Sequence, residues 1–224
     1  MNSPIAPLSN PAPLIPAQGK TVTEVSWGLK PFFESIDWGA PEVFTRNLPK
    51  PTTSKSVQVC PAAVDFDARY FVIKCPADLT IRLILDENAA PTLQTNTVPG
   101  SSTKRSSLDS SATLIDPKDW RHKDRPIIQI PTPYVFLSED LVYLNLSPAF
   151  MDYRSSPLPG MTMNARFTIK TQPNQLVWSF EWHDIQKEIK FKQGEPWFYV
   201  YFESSDPSRK VRLLEPEQSD HLLY

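Results

Sequence analysis

Apolar and polar residues alternate with a period of two over most of the chain after residue 20. In the segment DLTIRLIL, Leu79, Ile81, Leu83 and Leu85 form one apolar side. This alternation is typical of half-buried strands, and no window of a dozen residues carries a helical stripe. The predicted strands are 57–60, 70–75, 79–85, 127–130, 134–137, 141–146, 165–170, 176–182, 188–192, 197–202 and 210–214. Many short strands separated by turns predict an all-β fold, an antiparallel β-sandwich of jelly-roll-like type.

The segment 197–202, WFYVYF, is apolar on both sides. A regular strand would place Trp197, Tyr199 and Tyr201 on one face and point Phe198 to the opposite face. A strand of this kind is most simply the central strand of a packed sheet. An aromatic patch that binds a partner or a ligand is the alternative.

Proline divides the chain into its predicted parts. Residues 1–20 alternate five prolines with apolar side chains, and they predict an extended Pro-rich arm. One interpretation is a linker with polyproline II character. The other is an arm that binds neighbouring subunits, with Leu8, Leu14 and Ile15 as its apolar anchors. Residues 21–215 are predicted to form a single β-sandwich domain, followed by a C-terminal tail at 216–224.

Residues 92–113 contain eleven serines or threonines around Pro99-Gly100. The composition predicts a long polar loop. Such a loop is either a solvated insertion or a contact loop that closes over a partner.

Composition limits the classes of function. The 224 residues include 24 prolines and only 6 glycines, and the formal net charge is −2. The absence of a basic excess argues against nucleic-acid binding. We find no run of about 18 apolar residues, so no membrane span is predicted. The N-terminal residues lack the basic and apolar regions of a signal peptide, and we expect synthesis in a cytoplasm.

The tripeptide Cys-Pro-Ala occurs twice, at Cys60 and at Cys75, and these are the only cysteines. We expect each cysteine to end a strand, with Asp65 and Asp67 in the turn of the hairpin between them. The interpretation we favour is two buried thiols. A disulfide across the hairpin stays open as an alternative, worth about 3 kcal/mol. Neither cysteine has the paired neighbours of a zinc site or a histidine placed to activate it.

The remaining polar residues form no recognisable catalytic or ligand-binding pattern. His122 lies in the charged segment DWRHKDRP, His183 lies beside Asp184, and His221 belongs to the tail. The spacing of His183 and Asp184 does not match an iron-binding facial triad. Phosphate-binding loops and nucleophile elbows are also absent from the sequence. We therefore predict no catalytic residue, no metal site and no cofactor.

The C-terminal segment QLVWSFEWHDIQKEIKFKQGEPWFYVYFES resembles part of an uncharacterised family of proteins from marine tailed bacteriophages. The similar features are an aromatic strand, a lysine-rich strand, and a Gly-Glu-Pro turn before a second aromatic strand. CPAAVDFDARYFVIKCPADLTI is similar to the middle of that family. The resemblance extends over residues 57–203 and implies a phage source but no known activity.

Two classes of function follow from these observations. The first is a non-enzymatic structural or accessory protein of a phage virion, in the capsid or tail. It would contact other virion subunits in a homo- or hetero-oligomer, without nucleic acid or membrane as partners. The alternative is a soluble intracellular β-sandwich that binds a small molecule or modifies a host component.

Overall fold

The period-two segments form strands in the computed structural model. The structure describes residues 21–30, 36–45, 56, 59–85, 87, 90–97, 111–152, 157–170 and 174–214. Its strands are β1 (Val22–Leu29), β2 (Glu42–Val43), β3 (Tyr70–Lys74), β4 (Leu79–Leu85), β5 (Pro91–Thr97), β6 (Thr113–Leu114), β7 (Ile127–Leu137), β8 (Val142–Pro148), β9 (Gly160–Thr162), β10 (Ala165–Thr168), β11 (Asn174–Trp182), β12 (Ile189–Phe191), β13 (Pro196–Ser204) and β14 (Lys210–Leu214). One helix, α1 (Pro61–Asp67), and a 3₁₀ turn at Pro117–Asp119 accompany them.

The strands form three sheets. The first sheet has the order β14-β1-β7-β11-β9, with β6 also paired to β7. The second has the order β10-β8-β13-β3-β2, and the third has the order β12-β4-β5. Pairing is antiparallel throughout these sheets except between β1 and β14, which run parallel. The prediction of an all-β sandwich is confirmed.

A single hydrophobic cluster joins the three sheets. It includes Val25 and Trp178 from the first sheet, Phe198 from the second, and Ile81 and Phe191 from the third. Full burial of an aromatic or aliphatic side chain stabilises the fold by about 1.5–3 kcal/mol. The tryptophans and phenylalanines of the C-terminal third supply much of this core, as their apolar pattern indicates.

Strand β13 is a central strand, as predicted, because it pairs with β3 on one side and β8 on the other. One detail of the prediction is wrong. The pairing register shifts between Pro196 and Phe198, and Trp197 and Phe198 both pack into the main core. A β-bulge redirects a side chain in this way. Regular alternation starts after the bulge, so that Tyr199 packs in a second cluster on the other face of the sheet.

The predicted hairpin between the two cysteines is wrong. Residues 61–67 form helix α1, with Pro61 at its first position, where the missing N–H of proline costs nothing. Cys60 accepts a hydrogen bond from the Val64 amide, so the first cysteine precedes a helix rather than ending a strand. Neither cysteine forms a disulfide, and Cys60 is exposed while Cys75 is buried. The expectation of two buried thiols therefore holds for Cys75 alone.

The prediction of a loop from residue 92 onward is wrong for its first six residues. Residues 91–97 form strand β5, which pairs with β4 along its whole length from Leu85↔Pro91 to Leu79↔Thr97. Threonine is a good strand former although it is polar, and Thr95 is buried in this sheet. Residues 98–110 lie outside the described part of the chain, as do the arm at 1–20 and the tail at 216–224.

Strand β7 joins two segments that were predicted separately, 127–130 and 134–137. Proline interrupts a sheet because it donates no hydrogen bond. Here Val177 pairs with Pro131 just after a register shift. The Thr132 hydroxyl donates to the Leu176 carbonyl at 3.0 Å, and the side-chain Nε2 of Gln175 donates to the Thr132 carbonyl at 2.9 Å. These side-chain bonds link the two strands where the regular backbone ladder is broken.

Replacing Phe198 by alanine tests the central position of β13. Phe198 has no exposed surface, so the truncation should leave a cavity and lower the free energy of unfolding by about 3–5 kcal/mol. Leu85→Ala is the matched control, because Leu85 is 67% exposed and should cost less than about 0.5 kcal/mol. Urea unfolding measures both. A loss below 1 kcal/mol for Phe198→Ala would contradict the assigned packing.

The different environments of the two cysteines predict different reactivities. Native protein should react with one equivalent of a maleimide, at Cys60, because the buried thiol of Cys75 is inaccessible and donates to the Ala77 carbonyl at 3.1 Å. Intact-mass spectrometry before and after denaturation reports the number of labels. Cys60→Ser should abolish native labelling, and rapid addition of two labels to the native protein would refute the assigned burial of Cys75.

Candidate functional site

An open groove lies where the second sheet meets the β9 edge of the first sheet. We call it the aromatic groove, and its volume is about 560 Å³. The described residues that line it are Pro148, Ala149, Phe150, Met151, Asp152, Pro157, Leu158, Gly160, Thr162 and Trp197. Asp152 carries the one formal charge of these residues, so the lining is mainly apolar.

Trp197 connects the groove to the main core. Its ring stacks on Trp38 with 6.2 Å between centroids, and it lies 5.4 Å from Trp178. The side chain is only 2% exposed. Its Nε1–H is buried and has no hydrogen-bond partner among the described residues. An unpaired buried donor costs about 1–3 kcal/mol.

Phe150 forms the exposed wall of the groove. It is 56% exposed, although its ring contacts Tyr70 at 5.9 Å and Tyr199 at 5.6 Å between centroids. These tyrosines belong to the second cluster, which covers the outer face of the second sheet. The wall is therefore an apolar ring held in place by an aromatic cluster.

A hydrogen bond between the Tyr199 hydroxyl and the Asp152 carboxylate fixes the segment that carries Phe150. Burial of Tyr199 raises the pKa of its hydroxyl above the ordinary value, and the hydrogen bond and negative charge of Asp152 raise that pKa further. The hydroxyl therefore stays protonated and donates at physiological pH. Asp152 is already engaged by this donor, which reduces its capacity to hold a cation.

The close approach of β9 to β11 requires glycine at position 160. A Cβ atom there would lie 2.1 Å from the Glu181 carbonyl oxygen and 2.9 Å from the Phe180 ring. Thr162, two residues later, accepts a hydrogen bond from Trp178 Nε1 at 3.1 Å. Both contacts hold the β9 side of the groove against the first sheet.

A separate polar cluster forms around Glu181, whose side chain is almost fully buried. His183 Nε2 lies 2.9 Å from a Glu181 carboxylate oxygen, and the Arg125 guanidinium lies 3.5 Å from the same oxygen. A histidine oriented by a carboxylate is one part of a general base arrangement. The simpler interpretation is a buried carboxylate whose charge and hydrogen-bonding capacity are satisfied by Arg125 and His183. The sequence placed His183 beside Asp184, whereas its partner in the structure is Glu181.

The second groove is aliphatic and lies between β4 and the loop before β12. We call it the aliphatic groove, and its volume is about 530 Å³. Its lining residues are Arg82, Leu83, Ile84, Leu85, Ile185, Gln186, Lys187 and Glu188. Ile84, Leu85 and Ile185 are exposed. Arg82 forms an ion pair with Glu188, so this groove has a charged rim that the aromatic groove lacks.

The residues singled out in the sequence are dispersed. The predicted anchors Leu8, Leu14 and Ile15 lie outside the described residues, and so does His221. His122 is exposed in a turn closed by a bridge to Arg125, as its charged surroundings indicate. Across the described ranges, no group of three His, Cys, Asp or Glu side chains is arranged to hold a metal ion. None of the described helices combines the length and the apolar character of a transmembrane segment.

Comparison with known proteins adds no family assignment. No protein-family model matches this chain, and no curated protein matches it significantly. The resemblance to marine phage proteins over residues 57–203 therefore stays a prediction.

The raised pKa of Tyr199 predicts a loss of stability in alkali. Unfolded tyrosine loses its proton near pH 10, whereas the folded state retains it. The stabilising contribution is complete below about pH 10 and declines above it, by up to about 1.4 kcal/mol per pH unit for each such tyrosine. Tyr199→Phe should make this decline shallower. Urea unfolding between pH 9 and pH 11 measures the slope, and an unchanged slope would contradict the assigned environment.

Proposed function

We propose that this protein is a non-enzymatic structural or accessory component of a phage virion, in the capsid or the tail. It binds neighbouring subunits through its N-terminal arm, residues 1–20, with Leu8, Leu14 and Ile15 as anchors. The observation that carries the proposal is the combination of this apolar arm with a packed β-sandwich that exposes apolar grooves. The resemblance of residues 57–203 to phage proteins supports a phage origin of this protein.

The packing of the sandwich supports a role as a rigid building unit. The fully buried side chains include Trp178, Trp182, Tyr134, Phe136 and Phe180. Densely packed aromatic cores have few voids and deform little. A subunit of this kind presents its surface groups at fixed positions, which an assembly of repeated copies requires.

The exposed apolar residues support protein partners. Phe150 beside the aromatic groove and Leu85 beside the aliphatic groove are each more than half exposed. Large exposed apolar groups that lie together mark interaction surfaces more often than isolated ones do. Around the aromatic groove, the described lining offers one carboxylate and one threonine hydroxyl, and both are already hydrogen-bonded.

The alternative, a soluble β-sandwich that binds a small molecule or modifies a host component, has one observation in its favour. The volume of the aromatic groove, about 560 Å³, falls within the usual range of ligand sites, about 300–1,000 Å³. A small-molecule site also needs several convergent polar groups for orientation. The described lining offers few of them, and we therefore prefer the structural role.

Removal of residues 2–19 tests the proposed function. The truncated protein should keep the melting temperature of the full-length monomer, because the arm by itself buries too little surface to offset an ordering cost of about 1–2 kcal/mol per residue. Incorporation into particles should be abolished. Quantitative proteomics of purified particles from cells that express either form measures incorporation.

A point variant gives a sharper version of the same test. Leu14→Asp adds one charge at an anchor position, and Asn10→Asp adds the same charge between anchors. The first should block incorporation, and the second should leave it close to the unmodified level. Equal incorporation of truncated and full-length protein would reject the arm as the docking element. Absence of both forms from particles would favour the alternative function.

A further inference from the structure

Strand β4 has an open edge along its second half. On one side, β5 pairs with β4 over its whole length, residues 79–85. On the other side, β12 pairs only with residues 79–81. Within the described part of the chain, residues 82–85 therefore have no strand partner on the β12 side. An open edge of this kind presents unpaired N–H and C=O groups, and it is a template for pairing with another strand.

The open edge is apolar and accessible. Ile81 is fully buried, whereas Ile84 is 42% exposed and Leu85 is 67% exposed. Natural proteins usually protect exposed edges with lysine, proline or a covering element. Here Arg82 is the one charged residue among the four, and the aliphatic groove leaves a space of about 530 Å³ beside them.

The far wall of the groove is held away from this edge. The wall consists of residues 185–188, which lie on the connection from β11 of the first sheet to β12 of the third. Trp182 is fully buried, and its Nε1–H donates to the carbonyls of Asp184 and Lys187 at 3.0 and 3.1 Å. The core thus anchors the turn that carries the wall, and the edge of β4 stays uncovered.

The sequence at this edge matches itself when it is read in the opposite direction. Residues 82–86 are Arg-Leu-Ile-Leu-Asp. In an antiparallel pair of two copies centred on Ile84, Arg82 stands opposite Asp86 of the second copy, and Leu83 stands opposite Leu85. Opposite charges and apolar side chains that face each other stabilise an antiparallel pair. Asp86 lies outside the described residues, and its place in this register follows from its position after Leu85 in the sequence.

The position of β12 selects this register over its neighbours. Centring the pair on Leu83 would bring Leu85 of the second copy opposite Ile81, whose edge is already paired with Ile189. Centring it on Leu85 would bring Glu87 opposite Leu83 and set a carboxylate against an apolar side chain. A pair centred on Ile84 uses the whole open edge and matches both charges and apolar groups.

We propose that two copies of this protein associate through antiparallel pairing of residues 82–85 of β4, with a two-fold axis at Ile84. The charge complementarity of Arg82 and Asp86 is what selects a second copy as the partner, because the two-fold axis forms this pair twice. Such a contact is isologous and closes at the dimer. It is short compared with stable interfaces, so we expect reversible association. The proposal goes beyond the proposed function and does not require the N-terminal arm.

Charge exchange tests the pairing. Sedimentation velocity of the full-length protein should show reversible dimers as the concentration rises from about 1 μM to about 500 μM. Arg82→Asp and Asp86→Arg should each raise the dissociation constant by about tenfold or more, because like charges then face each other twice. An equal mixture of the two variants should associate as well as the unmodified protein, since each variant carries the charges that the other lacks.

Lys190→Asp is the matched control for the charge variants. Lys190 and Arg82 both form ion pairs with Glu188, so the control removes a cation from the same carboxylate but lies outside the proposed pairing. It should leave the dissociation constant unchanged. Arg82 and Lys190 are both exposed, and the variants should keep the melting temperature of the unmodified monomer.

Cross-linking locates the two-fold axis. In a Cys60→Ser background, Ile84→Cys should form a disulfide-linked dimer under mild oxidation. Residues directly opposite in an antiparallel pair have Cα atoms about 4.5–5.5 Å apart, which falls within the range of disulfides. Ile185→Cys is the matched control, because Ile185 is 40% exposed and lies on the other wall of the groove. Its dimer should form at least about tenfold more slowly on non-reducing gels.

Three results would each reject the proposal. They are an unmodified protein that stays monomeric at every concentration, a mixture of the charge variants that fails to associate, and equal cross-linking rates for Ile84→Cys and Ile185→Cys. A monomeric protein that still loses incorporation into particles when the arm is removed would reject this dimer and leave the proposed function standing. A dimer with the expected cross-link that is absent from particles would do the reverse.

Discussion

The structure depends on strand β13 being apolar on both of its faces. A strand of this kind must be covered from two sides. The main core covers one face through Phe198, Val200 and Phe202. On the other face Tyr199 needs a second cover, which Phe44 and Tyr70 provide, with Met151 packed against them. The segment that follows β8 turns back over this face, and the aromatic groove opens where that segment meets β9 and Trp197.

The sequence predicted the fold class and many of the strands because both depend on local alternation. Strand β14 matches the predicted 210–214, and β3 matches the predicted strand to within one residue. The errors have local physical causes. The segment after Cys60 is a helix because proline is favourable at a first helical position, although proline also ends strands. Strand β5 was not predicted because its threonines are polar, which suggested a loop, whereas threonine is also a good strand former.

The candidate groove could not be predicted from the sequence. Its residues come from the end of β8, the following loop, β9 and the start of β13, and only the pairing of the sheets brings them together. The β-bulge before Phe198 redirects Trp197 into the core, which no period-two pattern anticipates. Tyr199 and Asp152 are likewise separated by 47 positions in the chain. The aromatic richness of the C-terminal segment was the single signal that pointed to this region.

The parallel pair formed by β1 and β14 has a consequence for the order in which the protein folds. These strands are the first and last of those described, with Val22 level with Lys210 and Ser26 level with Leu214. During synthesis, one edge of β1 has no partner until residues 210–214 have left the ribosome. An unpaired strand edge is a template for pairing with other chains, and pairings between distant parts of a chain form slowly. The nascent protein thus carries an open sheet edge for as long as the residues between β1 and β14 are being synthesised, and partly folded chains with open edges are the species most prone to pair with one another.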